Sequence, residues 1–154
     1  MQRRDFLKSL GIGAASAVVI PSMSFAAEAP KGKNALAYND ALGVVTGGKN
    51  AEISAKVKLK VPEIAENGAV VPVTVEVDYP MSESDYVKAI HVYATKNANS
   101  RCISVHLSPA NGEAMFASRI KLGETQEVVA VAELSNGTFL MASQSVKVTI
   151  GGCG

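Results

Sequence analysis

Few side chains in this 154-residue chain could do chemistry: its soft or nucleophilic groups are two cysteines, two histidines and five methionines. One cysteine stands in the terminal string Gly151-Gly152-Cys153-Gly154. A free thiol is mostly protonated at neutral pH. The chain-end carboxylate, one residue away, disfavours the thiolate further by like-charge repulsion. No His or Lys adjoins Cys153 to act as a base. Such a thiol is not an activated enzyme nucleophile. It suits a carrier, whose cargo is attached and removed by other proteins. The glycines fit that role, because they relax the backbone and keep the segment thin enough for a narrow channel. Four extended residues span at most about 14 Å. Gly151, Gly152, Cys153 and Gly154 are therefore expected to form a flexible arm beyond a strand that ends at Ile150.

Two other readings compete for the same residues. His91, Cys102, His106 and Met115 are the types that bind copper on β-sandwiches. Cys102 and His106 are four positions apart on an expected strand, however, which separates them by about 13 Å. They cannot share a metal unless that strand is broken. The second reading is a structural disulfide, Cys102–Cys153. Two cysteines in an exported protein are paired more often than not, and closing a loop of that length stabilises by roughly 3–4 kcal/mol in the chain-entropy model. Its placement is odd, since it would anchor only a glycine tail. The chain would then be a non-catalytic periplasmic interaction module with a stapled end. The sequence leaves open whether Cys102 is half of a bridge, a small buried apolar residue or an exposed thiol.

The elements that must position Cys153 read as all-β. Hydrophobic residues make up 47% of the chain, charged residues 19% and aromatics 5%, with no Trp. This composition is globular, and the core must be built from Val, Ile, Leu and Ala. A short helix is predicted from Ala35 to about Val45, with Asn34 as its cap and Gly47-Gly48 as its stop. Leu36, Tyr38, Ala41, Leu42 and Val45 form its apolar stripe, expected to pack on the body. Alternation then predicts a strand over Ile53–Val61 and another over Ala69–Tyr79, whose Pro72 suggests an edge or a bulge. Pro62 to Gly68 reads as a loop ending in the turn pair Asn67-Gly68. Further strands are expected at Tyr86–Thr95, Arg101–Ser108, Glu113–Leu122, Gln126–Leu134 and Thr138–Ile150, separated by Pro, Asn-Gly and Gly turns. About seven strands with one helix predict an immunoglobulin-like β-sandwich over residues 27–150. On the strand at Arg101–Ser108, alternation puts Cys102, Ser104 and His106 on one face.

The N-terminus reads as an export signal over residues 1–26. Arg3-Arg4 precedes Phe6-Leu7-Lys8, the apolar run Leu10–Ile20 and a small-residue site ending at Ala26, with Ala27 as the rival cleavage point. The paired arginines match a twin-arginine signal, which exports folded proteins to the periplasm. The apolar run is too short to span a membrane. The formal net charge is +1, and no basic patch argues for nucleic acid. The sequence has no phosphate loop, nucleophile elbow or zinc-binding helix.

Several stretches together resemble the SoxY family, the sulfur-substrate carriers of the periplasmic thiosulfate-oxidising system. They are Ile64-Ala65-Glu66-Asn67-Gly68, Val71-Pro72-Val73, Asp78-Tyr79-Pro80-Met81, Asp85-Tyr86-Val87, Lys96-Asn97, Thr125-Gln126-Glu127-Val128, Ala130-Val131-Ala132-Glu133 and Val146 to Gly154. The terminal Gly-Gly-Cys-Gly after Val-Lys-Val-Thr-Ile is the most specific of them. The family usually has two glycines after the cysteine; this chain has one, which brings the carboxylate nearer the thiol. The resemblance implies that Cys153 is the covalent attachment point for sulfur intermediates. It implies a heterodimer with SoxZ, which lacks its own signal peptide, and transient partners: a dihaem cytochrome, a manganese hydrolase and a sulfur dehydrogenase. It implies a carrier rather than an enzyme, with no cofactor beyond the sulfur or thiosulfate-derived adduct on Cys153. Cys102 is not part of the family motif. An exposed thiol in an oxidising compartment would also join isolated copies through a Cys153 disulfide.

Overall fold

The computed structural model describes residues 35–152. The expected signal peptide, the cap Asn34 and the terminal Cys153 and Gly154 lie outside the described residues. Among the described residues there are nine strands in two sheets and one α-helix. No helix among them is long and apolar enough to cross a membrane.

The helix, α1 (Tyr38–Thr46), starts at Ala37 without a side-chain cap and stops where Gly47 takes a left-handed φ of 62°. Its stripe packs as expected: Leu36, Tyr38, Ala41, Leu42 and Val45 cluster with Tyr93, Val129, Val131 and Phe139 on the outer face of the larger sheet.

The alternating segment Ile53–Val61 does not form a single strand. It divides into β1 (Ala51–Ile53) and β2 (Val57–Lys60), which join different sheets. β1 runs parallel to the last strand, Ala51 opposite Phe139, whereas β2 runs antiparallel to the strand over Val71–Val77, Val57 opposite Val77. The crossing is fixed by Ser54 N–H donating to Met141 O at 3.0 Å and Val57 N–H donating to Ser54 O at 3.1 Å. A period of two persists through such a bend, because each half still has one wet face. The predicted loop after it also contains a strand, β3 (Ile64–Ala65), parallel to the last strand, Phe139–Val148, with Ile64 opposite Lys147. Two residues are too few to show a period.

β4 (Val71–Val77) is the middle of the smaller sheet, ordered β2-β4-β7 with β7 at Ala114–Ile120. Val71, Val73, Val75 and Val77 point inward and are buried. Pro72 fits because β2 pairs only as far as Thr74, which leaves Pro72 with no strand on that side. The missing N–H therefore costs no ladder bond.

The larger sheet is ordered β1-β9-β8-β5-β6, with β3 added to β9. Its remaining strands are β5 (Val87–Ala94), β6 (Arg101–His106), β8 (Gln126–Leu134) and β9 (Phe139–Val148). Ile90, Val92, Ala94, Val128, Ala130, Ala132 and Val146 face the smaller sheet and build one core with its valines. The sandwich is immunoglobulin-like, as expected. Burying these side chains fixes β9, and β9 aims the chain end.

Candidate functional site: the root of the arm

At and past the end of β9 the chain is held by backbone bonds, to which Thr149 Oγ1 adds one side-chain bond by donating to Glu66 O at 2.9 Å. Lys147 N–H donates to Glu63 O at 2.8 Å and Thr149 N–H to Ala65 O at 3.1 Å. Gly68 N–H then donates to Ile150 O at 2.7 Å, and Gly152 N–H to Leu122 O at 2.9 Å. Leu122 N–H closes the set by donating to Gly68 O at 2.7 Å. Three segments thus meet: the turn Asn67–Ala69, the loop Leu122–Gly123 and the arm root Ile150–Gly152.

The fit allows no side chain. A Cβ on Gly152 would lie 2.6 Å from the Ala69 backbone, and one on Gly68 would lie 2.8 Å from Gly152 N and closer still to Leu122 O. A Cβ on Gly151 would run into Gly123 O. Real Cβ atoms do not make contacts this short. Gly151 and Gly152, expected to begin the arm, lie against the body at its root. Glycine is required at these places for close approach, where the sequence suggested pliability. Cys153 and Gly154 lie outside the described residues.

Buried amides position the receiving loop. Asn97 Nδ2 donates to Lys121 O at 2.7 Å, while its Oδ1 accepts from Gly123 N–H at 3.1 Å and from Gln126 Nε2 at 2.9 Å. Gln126 Oε1 in turn accepts from Lys96 N–H at 2.8 Å. Both side chains are buried, and in this network each polar atom has a partner. Thr125 Oγ1 accepts from Val148 N–H at 2.9 Å and clips the end of β9 to the same loop. Sequence reasoning gave no role to Gly68, Asn97 or Gln126. Asn67-Gly68 reads as an ordinary turn pair, and Asn97 stands between two expected strands, where an asparagine is an ordinary turn residue.

The other candidates do not assemble. β6 carries an irregularity opposite Val92/Tyr93, with Val92 paired to Ile103 and Tyr93 to Arg101. Cys102 falls between, and its side chain packs with Ile103 on the core. The alternating face of Cys102, Ser104 and His106 is therefore broken by one extra residue. Cys102 is unpaired among the described residues, and its Sγ lies 3.6 Å from Ser100 O as a donor. Burial pushes its thiol up to about 11, so it stays protonated and inert at neutral pH.

His91 is buried on the outer face of the larger sheet, its Nδ1 2.8 Å from Ser104 Oγ. Its Nε2 is 3.8 Å from Glu133 Oε2, an ion-pair distance if the ring is protonated but too long for a hydrogen bond. Burial lowers the pKa of the ring despite the pull of Glu133. The His106 ring packs edge-on at 6.2 Å. Met115, on β7 of the other sheet, is half-exposed. The four residues of the copper reading are thus distributed over the core edge, the outer face and the second sheet. Among the described residues no three His, Cys, Asp or Glu side chains converge to hold a metal. Arg101, His106, Glu133 and Val45 line a depression of about 470 Å³ beside His91, and none of its lining residues belongs to the arm root.

Comparison with known proteins bears on which of these regions does the work. Residues 43–153 match the family described as sulfur oxidation protein SoxY. The structure is similar to the sulfur carrier protein SoxY from Chlorobium limicola f. thiosulfatophilum, with 30% identity and a TM-score of 0.62 over 73% of this chain and 96% of that one. It is also similar to superoxide reductase (neelaredoxin) from Ignicoccus hospitalis, with 18% identity and a TM-score of 0.55 over 60% of this chain and 80% of that one. At that identity the second likeness is one of fold alone. No curated protein matches the sequence.

Proposed function

The chain belongs to the SoxY family of sulfur oxidation proteins, and from that membership we propose that Cys153 is the covalent attachment point for its sulfur cargo. The observation that carries this reading is that the family match runs through to residue 153, so the terminal cysteine lies within it. The groups found at the arm root support it. They are backbone amides and carbonyls with Thr, Asn and Gln side chains, none of which titrates near neutral pH. The thiol must then be activated by the protein that receives it.

The chemistry follows in four steps. A dihaem cytochrome joins thiosulfate to the thiol; the new S–S bond forms as the thiol loses its proton and two electrons pass to the haems. A manganese hydrolase adds water across the terminal sulfur–sulfur bond, releasing sulfate and leaving a persulfide on Cys153. A sulfur dehydrogenase oxidises that outer sulfur to a sulfonate, taking oxygen from water and passing on six electrons, and a second hydrolysis releases the sulfonate as sulfate and restores the thiol. The carrier keeps the Cys153 C–S bond throughout and presents the loaded end to each enzyme in turn. Its standing partner is SoxZ, in a heterodimer, and its compartment is the periplasm. The leader with Arg3-Arg4 would send the folded pair out by the twin-arginine route.

The test is the intact mass of protein taken from cells grown on thiosulfate, before and after reduction. Wild type is expected to carry added sulfur or sulfonate mass that reduction removes, and Cys153→Ser to carry none. Equal adducts on both proteins would overturn the assignment. A reducible bridge to Cys102, with no thiol open to labelling, would favour the stapled module instead.

A further inference from the structure

The carrier reading treats the chain end as a tether, and the structure assigns that tether a seat. We propose that Asn67–Ala69 and Leu122–Gly123 form a cradle that holds the arm at Gly152, so that the reach of Cys153 is set by whether the seat is occupied. This inference rests on the carrier reading only for its purpose; the seat itself can be measured whatever the thiol carries.

The geometry supplies two lengths. With Gly152 bonded to Leu122 O, Cys153 is one peptide from its anchor, so its Cα lies about 4 Å away. If Ile150 to Gly152 lift out, the last fixed residue is Thr149. That residue stays bound through its N–H to Ala65 O and through Oγ1, 2.9 Å from Glu66 O. Four peptide links then separate anchor from thiol, and the reach extends to about 14 Å. A partner with a shallow site can take the seated end, while one with a deep channel must draw the arm off the body first.

The seat is built to open at this point. Upstream, β9 is locked by its ladder to β8 and by the buried Val146. Downstream of Thr149, the bonds are Gly68 N–H to Ile150 O and Gly152 N–H to Leu122 O. Neither Gly151 nor Gly152 has a side chain to bury, and Ile150 is 69% exposed. Lifting the arm root therefore gives up two backbone bonds and little apolar burial, and water can replace both bonds. Gly68, whose O and N both serve the cradle, acts on the thiol through the arm and is a positioning residue.

The experiment uses the full mature chain and compares wild type with Gly152→Ala. That substitution sits beyond the last strand and cannot disturb the core, whereas its methyl collides with Ala69. The first readout is amide hydrogen exchange at residue 152. Wild type is expected to show protection, and Gly152→Ala to lose roughly tenfold, about what one net backbone hydrogen bond is worth. The amides of β8 should be unchanged. The second readout is the labelling rate of Cys153 with a small and a bulky maleimide. Gly152→Ala should speed the bulky reagent and leave the small one nearly as before. Inserting two glycines between Gly152 and Cys153 should abolish that difference, since the reach then no longer depends on the seat. A wild-type residue 152 that exchanges at the rate of an unstructured glycine would sink the proposal. So would a bulky-reagent rate equal in both proteins. Neither result would touch the carrier reading, which stands or falls on the adduct mass.

Discussion

On the outer face of the larger sheet, His91, Ser104, His106 and Glu133 gather beside α1; at the root of the arm, Gly68, Gly151 and Gly152 bring almost no side chain at all. The first region has the residue types that usually attract a functional reading. Its chemistry is largely taken up: Ser104 holds one nitrogen of His91, and burial keeps the ring neutral. The second region leads to the terminal cysteine and is packed so closely that no side chain fits. There the work of recognition passes to peptide groups, which can meet only because nothing projects from the three glycines. A carrier gains from this plan. Groups that could react with a cargo are kept off the root of the terminal segment.

Three perturbations test that contrast, beginning with the largest expected effect. Asn97→Ala strips partners from Lys121 O, Gly123 N–H and Gln126 Nε2 together. Buried groups left unpaired cost about 1–3 kcal/mol, so the urea midpoint should drop and protection at Gly152 should fall with it. Ser104→Ala, which unpairs a group on the histidine face, should leave Gly152 exchange where it was. If both variants loosen the arm alike, the two regions are not independent.

The second perturbation is pH. Burial holds the His91 ring below its ordinary value near 6.5, so the unfolded chain takes up a proton that the folded one refuses. The stability attached to this group is therefore complete above about pH 6.5 and declines as the pH falls below it, with a slope of at most about 1.4 kcal/mol per pH unit. Urea titrations of wild type and His91→Gln at pH 7.5 and pH 5.5 should differ in pH dependence by that component. Identical dependence would mean that the ring titrates freely and that the face is more open than its burial indicates. The smallest effect concerns Cys102. With its thiol pushed up to about 11, it should resist alkylation in the native protein at neutral pH and label only on unfolding. Cys102→Ala should cost about 1 kcal/mol or less. Rapid native labelling of Cys102 would make it a second working thiol.

Much of this frame was legible in the residues. The alternating valines of β4, the stripe of α1 and the turns around β8 all state their burial in a fixed period, and the structure agrees with them. The misreadings share one cause. The three-residue bend at Ser54–Lys56 and the single extra residue at Cys102 are short local events that leave the surrounding pattern intact. Periodicity reports which face is wet, not which sheet a strand joins. At the site, Cys153 could be singled out from its position and type. Gly68, Leu122 and Asn97 could not, because they come together from three distant segments through backbone atoms that every sequence possesses.

The parallel pairing of β1 and β3 with opposite ends of β9 has a consequence for how the molecule is made. Ala51–Ile53 and Ile64–Ala65 find their places only on a strand some 75 to 90 residues further along the chain, whereas β2 between them pairs with the nearby β4. Until Phe139–Val148 is in place, β1 and β3 have no edge to join, so this part of the larger sheet depends on contacts of long sequence separation, which form slowly. A chain terminated before Phe139 would lose more than its terminal cysteine, because it would lack the strand on which β1, β3 and β8 are laid.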